Sequence, residues 1–212
     1  DLLFYTDGNL VYDRNHNIMP NGTGLLGDNS STQSAIILKQ PGSTTKYYIF
    51  TVDGITGSSG PLSYSVVDMS LNSGLGDVYI KNIVLFTGAS EKVTAISHQN
   101  DIDFWIVAPD YSTNIIHSYL LSSSGLDVNS VQNIPIQNIV NTPGYLKGSP
   151  DGTKIAYVTG WDHTIELYDF DNSNGILSNN IQLYSIFNQG YGNYGVEFSS
   201  DSEKLYISDW YS

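Results

Sequence analysis

A short apolar run rich in Tyr, Ile, Val and Phe returns about every 50 residues, and this period constrains the fold more than any other feature of the chain. The runs are Leu3-Phe4-Tyr5-Thr6-Asp7, Tyr47-Tyr48-Ile49-Phe50-Thr51, Phe104-Trp105-Ile106-Val107-Ala108, Ile155-Ala156-Tyr157-Val158-Thr159 and Leu205-Tyr206-Ile207-Ser208-Asp209. Their first residues are 44, 57, 51 and 50 apart. Before four of them the chain offers another strand and a tight turn: Ser34–Leu38 with Pro41-Gly42, Val93–Ser97 with Asn100-Asp101, Tyr145–Gly148 with Asp151-Gly152, and Gly195–Phe198 with Ser200-Asp201. A third strand follows at Leu62–Met69, Ile115–Leu121 and Thr164–Phe170, closed by Gly74, Gly125 and Gly175. A fourth is predicted at Ile83–Phe86, Ile134–Ile136 and Ile181–Tyr184. No stretch keeps apolar residues at helical spacing, so the chain reads as all-β. Four antiparallel strands per repeat of about 40–50 residues is the blade of a β-propeller, whose small sheets bury both faces by stacking on one another. A sandwich, the rival all-β arrangement, has no such period.

The period divides the chain into a partial blade over residues 1–33, blades at about 34–90, 91–143 and 144–190, and a partial blade over 191–212. Because the chain starts and stops within the second strand of a blade, the expectation is about three whole blades flanked by partial ones. Further chain of the same polypeptide, or a partner, would then complete the ring. A chain of 212 residues buries roughly 70% of its unfolded surface, enough for a real core.

Composition excludes several classes of function. There are 21 acidic and 8 basic residues, a net charge of −13, and no basic cluster. Nucleic-acid binding needs Lys and Arg to displace counterions, so no nucleic-acid partner is expected. No apolar run approaches the roughly 20 residues of a membrane-spanning helix, so no membrane insertion is expected. The absence of Cys removes disulfides, thiolate nucleophiles and cysteine–zinc sites.

The run YLKGSPDGTKIAYV over Tyr145–Val158 resembles the SPDG-containing repeat of WD40-like, TolB-like propellers, and Gly195–Ser208 is a degenerate copy with Ser200 for Pro and Ser202 for Gly. A longer likeness runs through Leu2–Ala35, Tyr47–Asp53, Tyr64–Val78, Glu91–His98 and Leu167–Asn179. Those segments resemble the propeller of large secreted surface proteins of gliding-type bacteria that carry a C-terminal sorting domain for type IX secretion. The resemblance implies an extracellular or outer-surface location and a binding or adhesion role.

Candidate site residues fall in two groups. Trp161, His163, Tyr191, Tyr194 and Trp210 lie in loops beside Asn, Asp and Gly, where aromatic rings can stack on sugars and amides can bind hydroxyls. His98, Lys147 and Glu197 lie on or beside first strands, which line the central channel in propellers. That second group rests on analogy between folds. No metal site or cofactor is expected. Asp169–Gly175 alternates oxygen ligands as calcium loops do, but its glycine is out of place and Asn180 stands where a bidentate Glu belongs, so a hairpin turn is expected. His16, His98, His117 and His163 show no zinc spacing, and no G-x-S-x-G elbow or P-loop is present, so no catalytic residue is assigned.

The leading expectation is a non-catalytic binding or adhesion module that recognises a glycan or another surface protein through loops on a rigid ring. The alternatives are a lactonase-like propeller hydrolase with a central metal site, and a structural spacer or secretion passenger.

Overall fold

The computed structural model describes residues 2–54, 60–133, 142–160, 164–184 and 192–209. They form a β-propeller segment of five antiparallel sheets in chain order. The first sheet pairs β1 (Phe4–Thr6) with β2 (Val11–Asp13). The second runs β3 (Ala35–Lys39), β4 (Lys46–Val52), β5 (Pro61–Asp68) and β6 (Asp77–Thr87). The third holds β7 (Thr94–Ser97), β8 (Phe104–Asp110) and β9 (Ile115–Ser122), with β10 (Gly125–Leu126) and β11 (Val131–Asn133) both paired to β9. The fourth runs β12 (Leu146–Gly148), β13 (Lys154–Thr159), β14 (Thr164–Asp171) and β15 (Ile176–Tyr184), and the last pairs β16 (Asn193–Phe198) with β17 (Leu205–Asp209). The only helical turn among the described residues is a single 3-10 turn at Asn72–Gly74.

The repeat is real in register. Tyr48 pairs with Leu38 on the first strand of its sheet, Trp105 with Ile96, Ala156 with Lys147 and Tyr206 with Glu197. The outer edge of the third sheet is built from two short pieces. It is split between β10 and β11, and Ile134–Ile136 lies outside the described residues.

Alternation along the second strands explains their apolar runs. Ile49 packs back on Phe4, Val11 and Met19, whereas Tyr48 and Phe50 pack forward on Ile106, Ala108 and Tyr119. Trp105 and Val107 then pack on Ile155 and Tyr157, and Ala156 and Val158 pack on Val196 and Phe198. Each such strand is covered on both faces, so it is apolar at consecutive positions rather than at every second one.

The two rims of the segment are built differently. One carries the turns between first and second strands and between third and fourth strands. In three sheets the first of these turns is the same device: Ser149 N–H donates to Lys154 O at 2.9 Å, Ser199 to Lys204 at 2.9 Å and His98 to Asp103 at 2.9 Å. Asx side chains close the loop each time. Asp151 accepts from Ser149 Oγ and Thr153 N, Asp201 from Ser199 Oγ and Glu203 N, and Asn100 Oδ1 from the Ile102 and Asp103 amides. Much of the acidic excess is thus spent on capping turns. The opposite rim carries the connections from second to third strands and from each sheet to the next.

Candidate functional site

On that opposite rim, the segments leading into β3, β7 and β12 converge. The Gln33 carboxamide holds both backbone groups of Leu146: its Nε2 donates to Leu146 O at 3.1 Å, and Leu146 N–H donates to its Oε1 at 2.9 Å. Thr32 Oγ donates to Glu91 Oε2 at 2.9 Å and accepts from Gly144 N–H at 3.3 Å. Gln33 N–H donates to Glu91 O at 3.1 Å. Sheets two and four therefore touch across the first strand of sheet three, which only residues on the channel side can do.

Lys92 follows Glu91 directly in this cluster. It is fully buried, its Nζ donates to Thr142 O, and the Tyr157 ring centroid stands 5.2 Å away. Burial drives its ammonium down to about 7, against partial opposition from Glu91. Thr142 Oγ, Ser90 Oγ and both polar side-chain atoms of Asn193 are buried without hydrogen-bond partners on the same rim. Thr32, Gln33 and Lys92 carried no sequence signal, because their partners lie 50 to 113 residues away and no local pattern marks them.

A second feature is a groove of about 380 Å³ against β16 and β17, lined by Tyr145, Tyr194, Glu197 and Tyr206 among others. The Tyr145 and Tyr194 rings stand 5.7 Å apart at 59°, and Tyr145 N–H donates to Tyr194 O at 3.0 Å. Lys147 Nζ meets Glu197 Oε2 at 2.7 Å beside them, both side chains remaining solvated. The structure thus brings Tyr194, Lys147 and Glu197 together. His98 is elsewhere: it sits in the β7–β8 turn, 6.0 Å from the Trp105 ring, and its Nδ1 accepts the Asn100 amide at 3.1 Å. Trp161, His163, Tyr191 and Trp210 lie outside the described residues.

Among the described residues, no three His, Asp or Glu side chains converge as metal ligands would. In the calcium-like run, Asp171 Oδ1 accepts from Ser173 N–H and Oγ, and its Oδ2 accepts from Asn174. Asp169 is paired with Lys154 at 2.8 Å and with Asn179 at 2.8 Å. These bonds hold both carboxyls below the usual carboxylate range, first through Ser173 for Asp171 and through Lys154 for Asp169, and they are the bonds of a hairpin. No described helix is long and apolar enough to cross a membrane.

No family model matches the sequence, and no curated protein does. Among solved structures, a functionally unknown protein from Desulfotomaculum acetoxidans shares 16% identity at a TM-score of 0.54, covering 82% of this chain and 48% of its own. Hydrazine synthase from Kuenenia stuttgartiensis gives 11% and 0.48, over 95% of this chain and 62% of that one. A protein from Bacteroides uniformis proposed to be a 6-phosphogluconolactonase gives 15% and 0.46, over 82% and 60%. The first likeness carries the fold alone, and the other two carry no argument. The chain spans about half to three-fifths of the length of these structures.

Proposed function

We propose that the chain is a binding module of an exported surface protein, and that it recognises a glycan or another surface protein at the connection-bearing rim and the adjoining Tyr145–Tyr194 groove. The observation that supports this most is the groove of about 380 Å³ lined by Tyr145, Tyr194, Glu197 and Tyr206 among others. The groove adds half-buried tyrosines beside a solvated Lys–Glu pair, a combination of apolar ring faces and polar groups that suits a sugar. The exported location rests on the sequence resemblance. Completion of the ring by further chain of the same polypeptide, or by a partner, is part of the same reading.

The test is a glycan array followed by titration calorimetry on the best ligand. Tyr194→Ala and Tyr145→Ala should each weaken binding about tenfold or more, ~1.4 kcal/mol. Binding unchanged in both variants would move the site away from the groove. An array and a surface-protein pull-down that are both blank at high protein concentration would overturn the binding reading in favour of a spacer.

A further inference from the structure

We propose that Ser130 is an activated nucleophile that takes acyl groups from small activated esters, with His117 as its base and Asp110 as the residue that positions the base. The three come from separate strands and loops of the third sheet, which is why no local motif announced them. Ser130 follows β10, half-buried at the end of the exposed Asp127–Asn129 turn. Its Oγ lies 2.9 Å from His117 Nδ1. The other ring nitrogen, Nε2, faces Asp110 Oδ2 at 3.7 Å and has no nearer hydrogen-bond partner. A proton on Nε2, directed at this carboxylate, leaves Nδ1 as the acceptor for the Ser130 hydroxyl.

The base is held from all sides. Phe86 of β6 stacks on its ring at 4.5 Å, and Tyr119 stacks at 6.0 Å from the other neighbour on β9. Asp110 is itself fixed by Ser112 N–H and Oγ at 2.9 and 2.6 Å and by Thr113 Oγ at 2.7 Å. Burial lowers the His117 pKa, with Asp110 opposing, so the imidazole is neutral near pH 7 and able to take a proton. Ser130 bonded to His117, with Asp110 Oδ2 facing the far ring nitrogen at 3.7 Å, does more than a turn requires, since the Asp127–Asn129 turn is already closed by Asp127 accepting the Asn129 amide at 2.9 Å.

The step balances without a cofactor. Ser130 Oγ attacks the ester carbonyl carbon as its proton passes to His117 Nδ1. The bond from that carbon to the leaving oxygen breaks, and the leaving alcohol departs with the proton returned by His117. Water then cleaves the acyl-serine to a carboxylic acid and regenerates Ser130.

The experiment treats the whole chain with a small fluorophosphonate, which forms an Oγ–P bond and expels fluoride, and reads intact mass and the labelled peptide. The expected result is a single adduct on Ser130, absent in Ser130→Ala and slowed at least about a hundredfold in His117→Gln. In Asp110→Asn, the acid limb of the rate–pH profile should move to lower pH, because the carboxylate that supports the imidazolium is gone. A structural role alone would not move that limb. No adduct, an adduct at another residue, or labelling as fast in the urea-unfolded chain as in the native one would overturn the proposal. So would an unchanged rate in His117→Gln. None of these outcomes bears on the Tyr145–Tyr194 groove.

Discussion

Burying an ammonium beneath one carbonyl and one aromatic ring sets the pH response of this protein at the residue scale. The Lys92 pKa falls to about 7 in the fold, whereas an unfolded lysine titrates near 10.4. Between those values the unfolded chain holds a proton that the folded chain has lost, so stability from this group rises with pH across that window. Below about pH 7 both states are protonated and the full burial cost is present. Urea unfolding at pH 6.5 and pH 9 should therefore show wild-type stability rising, and Lys92→Met should flatten the rise by on the order of a few kcal/mol. An equal rise in both proteins would mean that Lys92 is charged throughout. The Tyr157 ring and the Glu91 carboxylate make burial tolerable at the lower pH, the first through a cation–π contact and the second through its charge.

Among the elements, the turn between the third and fourth strands of each sheet reaches back to the sheet before it. Gly175 has φ +76°, and a Cβ there would meet the Trp105 ring at 2.8 Å; the same turn accepts Trp105 Nε1–H at Asn172 O, 2.9 Å. Gly74 has φ +84° with open space where its Cβ would be. Both glycines resist substitution for their backbone angle, at roughly 1–2 kcal/mol. Gly175→Ala adds a clash with the packed indole, so it should cost about 1–3 kcal/mol more than Gly74→Ala in thermal or urea unfolding. Equal costs would show that the turn can slide off Trp105.

These turns, and the strands they join, were legible because each owes its form to residues close in sequence: a positive-φ glycine, an Asx cap, a run of apolar residues covered on both faces. Lys147 and Glu197 were legible as first-strand residues at equivalent positions, but their ion pair was not read from the sequence. Gln33 gripping Leu146, Lys92 under Thr142 and Ser130 against His117 were not. Gln33 and Lys92 meet their partners only once whole sheets have stacked, Ser130 meets His117 only once the outer edge of the third sheet has folded, and a lone Gln, Lys or Ser carries no period.

For the molecule as a whole, the position that Tyr48, Trp105 and Ala156 occupy is buried by the following sheet, but Tyr206 is 58% exposed on β17. An apolar sheet face of this kind promotes association. Sedimentation of residues 1–212 at rising concentration should show self-association, and Tyr206→Lys should reduce it. A chain that stays monomeric into the hundreds of micromolar range would show that this face is satisfied by water.

Stacked sheets that touch only their neighbours behave as a one-dimensional array, which frays from its ends and opens piecemeal. The Gln33–Leu146 grip is a contact between next-nearest members, 113 residues apart. It means that the third sheet cannot swing away without also parting the second from the fourth. Amide hydrogens in β4, β8 and β13 should therefore exchange with one common opening free energy, while those of β1 and β17 exchange earlier. Gln33→Ala should split that common value into separate ones, turning a single cooperative block back into a chain of independently breathing units.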